Sequence, residues 1–189
     1  AILQEISPHI QVDGEVQADV ALCPDIAKHK LASSVIKGDA DILIFPDLNI
    51  AVNLKGVFLC TQAVFQPMCD QGFGHIINVS SVSGKNGHAK GGAYCASKWG
   101  VVGFTEVTNT EGKPFGVKAS VVCPGPVDTS RMDAVRDAQG GWEASAARVP
   151  LGRVASDDDI GHVITWLCSP DASLITGQAI NVNGGMHMD

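Results

Sequence analysis

Four short apolar runs, Asp41 to Phe45, Ile76 to Val79, Val117 to Cys123 and Ala179 to Val182, are spaced so that each of the three intervals between them can hold a helix. Runs this brief and this continuous in hydrophobicity read as strands covered on both faces. Strands so far apart in sequence are joined by crossovers rather than hairpin turns, which predicts parallel pairing with right-handed connections and an α/β fold. Between the strands, the spacing predicts a helix from about Ala51 to Asp70, with Val52, Val57, Leu59, Ala63 and Val64 among its apolar positions and Gly72 and Gly74 ending it. A second helix starts near Tyr94 and runs to about Thr110, where Gly112, Pro114 and Gly116 unwind it. A third, Ile160 to Cys168, follows Asp157, Asp158 and Asp159, whose charges suit a helix N-terminus. Nearer the start, Val16 to Lys30 has helical spacing interrupted by Pro24, and Leu31 to Lys37 reads as a connector. No internal repeat or low-complexity tract is present.

Within this frame, Tyr94 and Lys98 fall four residues apart on a predicted helix, hence one turn apart on one face. An ammonium close to a phenol favours the phenolate and brings it towards the working range of a general base. Ser81 ends the strand-like run His75-Ile76-Ile77-Asn78-Val79-Ser80, thirteen residues before Tyr94, where a strand end can deliver a hydroxyl to the same place. Each residue also has a plainer reading: a helix tyrosine, a solvated lysine, a serine capping a loop. Ser80 and Ser83 compete with Ser81 for its role. Asn53 inside a helix is ordinarily a mild liability, because its amide competes for backbone hydrogen bonds.

Five motifs in order resemble the catalytic half of the short-chain dehydrogenase/reductase family: Asn53-Leu54-Lys55-Gly56, Asn78-Val79-Ser80-Ser81, Tyr94-x-x-x-Lys98, Pro124-Gly125-Pro126-Val127-Asp128-Thr129, and the stretch from Thr176 to Gly185. The resemblance covers about Ala51 to Asp189. It implies a truncated Rossmann-like, doubly wound parallel sheet of about five strands and an NAD or NADP cofactor. It also implies catalytic roles for Asn53, Ser81, Tyr94 and Lys98, and nicotinamide-side contacts from Tyr94, Lys98, Pro124, Gly125, Val127 and Thr129. In the family a helix break at the asparagine lets a backbone carbonyl hold a water that links the lysine to solvent. The segment from Pro124 to Val149 corresponds to a mobile substrate lid, which Met132, Trp142 and Val149 would line. Self-association through the Asn53 and Tyr94 helices and the C-terminal strand is implied as well.

Ahead of Ala51 the resemblance stops. The family opens on a glycine loop that cradles the cofactor pyrophosphate at a helix N-terminus, whereas Gly14 and Gly38 are the only glycines before Gly56. Instead, Val12-Asp13-Gly14-Glu15-Val16-Gln17-Ala18-Asp19 and Gly38 through Asn49 resemble a fragment of a phosphate acetyltransferase or butyryltransferase. The chain therefore reads as two parts: residues 1–50, an acyltransferase-like piece packed on the same sheet, and residues 51–189, the dehydrogenase half. A natural fusion, an engineered join and an assembly error would leave the same signature at the junction near Ile50.

Composition narrows the partners. A net charge of −7 with no Lys/Arg cluster argues against nucleic acid. The six cysteines stand singly in apolar surroundings, without a Cys-x-x-Cys, and read as reduced thiols of a cytoplasmic protein. No basic, apolar leader and no apolar run near ~18 residues is present, so neither a signal peptide nor a membrane span is expected. The chain opens on Ala rather than Met, as a trimmed piece would. His75, His88, His162 and His187 lack metal-ligand spacing and are expected on the surface or in loops, with no metal site.

The function expected is hydride transfer between NAD(P) and a small-molecule secondary alcohol or carbonyl, with Tyr94 as general acid/base in a homo-oligomer. The competing expectation is a catalytically incompetent chimeric or truncated remnant that lacks the dinucleotide-binding loop. A phosphate acyltransferase-related activity is third, since fifty residues leave little room for a coenzyme A cleft. Neither the substrate nor the choice of NAD over NADP is written in the motifs, because the lid and the second strand, which decide them in the family, are variable or missing here.

Overall fold

A computed structural model of the chain describes residues 42–45, 50–89, 91–130 and 141–188, with the backbone alone for 42–45 and 50–53. The expected helix at Val16 to Lys30, the Leu31 to Lys37 connector, the acyltransferase-like strings before Asp41, Cys23 and Met132 lie outside the described residues. The described chain runs β1 (Ile42–Phe45), α1 (Ile50–Gln71), β2 (Gly74–Val79), α2 (Gly92–Gly112), β3 (Val117–Pro124), α3 (Gly141–Ala146), α4 (Asp157–Leu167) and β4 (Ala179–Val182). Short 3₁₀ turns occupy Val82–Gly84, Lys113–Phe115 and Pro170–Ala172.

The four described strands form one sheet in the order β1-β2-β3-β4, and every pair is parallel. Leu43 faces Ile76, Ile76 faces Ala119, and Val122 faces Ile180. The described part of the expected strand, Ile42–Phe45, therefore enters the sheet beside β2, on the edge of the described strands. Helices lie on both faces. Ile76, Val117 and Ala119 pack with Val64, Met68 and Cys69 of α1, and Val121 and Cys123 with Val57 of α1 and Val101 of α2. On the other face Ile77 and Val122 meet Ile164 and Leu167 of α4 together with Ala172. Alternate residues of one strand thus feed two cores, and each fully buried side chain of this size contributes about 1.5–3 kcal/mol.

Punctuation follows the residue types. Gly72, at φ +80°, takes the left-handed position after α1, and its N–H donates to the Met68 carbonyl at 3.1 Å. Gly116, at φ +72°, turns the chain from the Lys113–Phe115 turn into β3, and a Cβ there would collide with the Gly72 carbonyl oxygen. Ser156 caps α4 by accepting from the Asp159 N–H while Asp159 accepts from the Ser156 N–H, a complete capping box. Arg153 grips Asp159 with two hydrogen bonds of 2.6 and 2.9 Å and holds its carboxyl well below the usual carboxylate range.

One expectation is corrected. His75 is not a surface or loop residue: it lies on β2 at 5% exposure, with Nδ1 3.2 Å from the Leu167 carbonyl and Nε2 3.1 Å from Ser120 Oγ. A neutral imidazole can donate through one nitrogen and accept through the other, so these two partners satisfy it without charge. Cys69, Cys95 and Cys123 are buried, Cys60 and Cys168 half-buried, and all five are free thiols. Among the described residues no helix is long and apolar enough to cross a membrane.

Candidate active site

Ser81 follows the carboxyl end of β2 and Lys98 reaches its last residue, Val79, at the edge of a parallel sheet where α/β folds bind ligands. α2 starts there because Gly91 leads the chain out of the polar loop, and the helix then carries Tyr94 and Lys98 on one face. Tyr94 is half-buried, Lys98 is 1% exposed, and Lys98 Nζ sits 5.8 Å from the centre of the Tyr94 ring. That separation is within the reach of a cation–π contact. The same ammonium donates to the carbonyl of Val79, the last residue of β2, at 3.3 Å.

Ser81 is extended, at φ −167° and ψ 162°, and caps the Val82–Gly84 turn by accepting from the Ser83 N–H at 3.1 Å. That bond leaves the Ser81 hydroxyl proton for another acceptor. Its competitor Ser80 is differently engaged. Ser80 is 4% exposed and its hydroxyl donates to the Lys98 carbonyl at 2.9 Å, while its N–H continues the ladder to Val122 at 2.8 Å. Asn78 ties the same strand to α2 by donating to Thr105 Oγ1 at 2.8 Å, and Thr105 in turn donates to Val101. The sequence signals the Asn-x-Ser-Ser string but not these partners, which belong to a different element.

Asn53 lies on α1, which runs unbroken from Ile50 to Gln71 through the residue where the resemblance implies an interruption. Its side chain lies outside the described residues. Pro124 ends β3, and Gly125 donates to the Val182 carbonyl at 3.0 Å. Val127 bridges to Ala155, with Asp128 N–H donating to the Ala155 carbonyl and Ala155 N–H to that of Pro126. Thr129 follows, half-buried. A cavity of about 420 Å³ opens beside this loop, lined in part by Pro126, Val149, Asn181, Asn183 and His187. Ser81, Tyr94 and Lys98 are not among its lining residues. Of the expected lid residues, Val149 is buried against the cavity and Trp142 is half-buried on α3.

This donor set fits the nicotinamide end of a dinucleotide: a phenol, an amine and a hydroxyl at the carboxyl edge, with a stapled turn beside them. For the pyrophosphate, the sequence before Gly56 offers only two glycines.

Comparison with known proteins agrees with the motifs. A model described as enoyl-(acyl carrier protein) reductase matches residues 45–187, and one described as phosphate acetyl/butaryl transferase matches residues 1–67, so the two overlap over 45–67. The chain is 40% identical over 136 residues to a 3-oxoacyl-[acyl-carrier-protein] reductase of Vibrio cholerae, covering 72% of this chain and 55% of that protein. It is 40% identical over 145 residues to a short-chain dehydrogenase/reductase of Armillaria gallica, covering 74% of this chain and 56% of the relative. It thus spans little more than half the length of these relatives. A crystal structure of a putative 2-deoxy-D-gluconate 3-dehydrogenase from Agrobacterium tumefaciens with bound NADP superposes with a TM-score of 0.70 at 29% identity, covering 77% of this chain and 67% of that one. Matched over most of its length by that reductase model, and built on the parallel sheet these relatives share, the chain belongs to the short-chain dehydrogenase/reductase family.

Proposed function

We propose that residues 51–189 carry the proton-transfer and nicotinamide-side half of an NAD(P)-dependent oxidoreductase acting on a small carbonyl or secondary alcohol. The observation that carries this reading is the approach of Lys98 Nζ to the Tyr94 ring, with the same ammonium bonded to Val79 at the end of β2, two residues before Ser81. In it, Tyr94 gives or takes the proton of the substrate oxygen, Lys98 favours the phenolate, and Ser81 donates a hydrogen bond to that oxygen. The resemblance gives Asn53 a place in the proton relay, but α1 is unbroken there, so no step of this proposal passes through its backbone carbonyl. Lys98, Pro124, Gly125, Val127 and Thr129 hold the nicotinamide side. When bound, the dinucleotide supplies or accepts the hydride.

The names of the relatives make 3-oxoacyl thioesters the first substrates to assay. Self-association belongs to the same reading. Leu54, Phe58 and Leu59 of α1 and Trp99 and Val107 of α2 are exposed large apolar side chains on two helices that pack together, Phe58 and Phe104 with ring centroids 5.6 Å apart. Burying them against a second copy is favourable. Light scattering at tens of micromolar is expected to give a dimer or larger, and a monomer removes this part of the proposal.

A second reading, a remnant that no longer binds cofactor, rests on the acyltransferase match over residues 1–67, most of which lies ahead of the reductase match. Calorimetric titration of NAD(H) and NADP(H) separates the two. Micromolar binding of either supports the oxidoreductase and excludes the remnant, whereas no heat at millimolar dinucleotide excludes the enzyme.

A further inference from the structure

Two consecutive residues at the end of β2 grip one residue of α2 from both sides. The Val79 carbonyl accepts from Lys98 Nζ at 3.3 Å, and the Ser80 hydroxyl donates to the Lys98 carbonyl at 2.9 Å. Ser80 is itself held in the sheet by its N–H to Val122, so its hydroxyl is a fixed point rather than a loose rotor. A helix carbonyl has a second lone pair beyond its helical bond, and here that lone pair ties the helix to the strand. The approach is close enough that only glycine fits beside it. A Cβ on Gly84 would collide with Ser80 Oγ and lie 2.8 Å from the Lys98 carbonyl oxygen. Ser81, next in the chain, caps the turn that ends at Gly84.

We propose that Ser80 is a positioning residue for the Tyr94–Lys98 pair: its hydroxyl fixes the height of α2 against β2, and Gly84 is the residue whose missing side chain admits the contact. The proposal rests on the reading of Tyr94 and Lys98 as a coupled acid/base pair. Ser80 touches no substrate in it. It acts on Tyr94 through Lys98, by keeping the amine at the depth from which it reaches both the Val79 carbonyl and the tyrosine ring.

The chain contains a single tyrosine, so tyrosinate formation followed by ultraviolet absorbance reads Tyr94 alone and needs no cofactor. Lys98→Gln is expected to raise the Tyr94 midpoint, and Ser80→Ala to raise it by a part of that shift, ~0.5–1 pH unit, because a neighbouring cation acts over a few ångströms. Gly84→Ala, which forces the same contact apart, should move it in the same direction and provides a second route should Ser80→Ala fold poorly. Gly116→Ala, a strained variant at the far end of the strands, serves as the control and should leave the midpoint where it is. A Lys98→Gln shift with no Ser80→Ala shift overturns the positioning role and leaves the pair intact. An unmoved midpoint in Lys98→Gln overturns the pair, and the positioning role with it. An equal shift in Gly116→Ala overturns the proposal by showing a general loosening.

Discussion

The two ends of β2 carry polar groups of opposite fate. At the amino end His75 is buried between Ser120 and the Leu167 carbonyl, with Lys118 as its neighbour across the β2–β3 pair. Burial, with Lys118 adding to it, pushes the imidazole down to about 4 from its ordinary 6.5, and burial pushes the nearby Cys168 thiol up to about 11. Lys118 spends its ammonium on the Ala172 carbonyl at 3.2 Å. His75 and Lys118 are bonded internally, and burial favours the neutral form of each of these groups. Four residues on, the strand ends beneath Lys98, with Ser81 two residues further, where a lysine is sunk under a half-buried phenol and a hydroxyl keeps a proton to give. A buried titratable group is thus no sign of a site by itself; what separates the two ends is whether the polar atoms close on one another or face the ligand edge of the sheet.

The largest effect expected is at the carboxyl end. Tyr94→Phe should lower dinucleotide-dependent carbonyl reduction about 100- to 10,000-fold, the usual worth of a positioned general acid, with little change in melting temperature. Retained turnover would erase the distinction between the ends.

At the amino end the expected effect is on stability and its pH dependence. Above pH 6.5 the imidazole is neutral both folded and unfolded. As pH falls below that, the unfolded chain takes up a proton that the folded chain refuses until about 4, so stability is lost across this window and levels off beneath it. The loss is about 2–3 kcal/mol after discounting for relaxation of the site. Urea midpoints measured from pH 7.5 to 4 should show it, and His75→Gln, which keeps hydrogen-bonding groups but does not titrate, should flatten the profile.

Two smaller effects sharpen the contrast. Gly116→Ala should destabilise by about 1–3 kcal/mol through its positive φ and the collision with Gly72. Ser156→Ala should cost about 1 kcal/mol by removing the α4 cap. In chemical denaturation both should shift the midpoint, and neither should move the Tyr94 titration, since neither touches α2 against β2.

Much of the frame was legible residue by residue. The helix expected from Ala51 to Asp70 runs Ile50–Gln71, and Gly72 stops it as its φ requires. The strand at Ala179 to Val182 has the expected bounds. β2 starts at Gly74 rather than Ile76, because pairing with Val117 and Lys118 extends it. His75 already opens the strand-like run in the sequence, but its burial follows only from partners distant in the chain, Ser120 and the Leu167 carbonyl. α2 likewise takes in the poor helix formers Gly92 and Gly112, of which Gly112 is buried against Val117 of β3. In the site, Tyr94 and Lys98 were legible because helical spacing is local. The separate tasks of Ser80 and Ser81 were not, because only the partner across the strand–helix gap tells them apart.

The sequence by itself determined the alternation of strands and helices, the family, and the face shared by Tyr94 and Lys98, since each follows from periodicity or from contiguous motifs within one element. Tertiary structure decided the rest: which serine is spent on the Lys98 carbonyl, and that His75 is sealed in the core. Those are contacts between elements distant in the chain, and their outcome depends on distances of a few tenths of an ångström, such as the close approach that Gly84 permits, which no local pattern encodes.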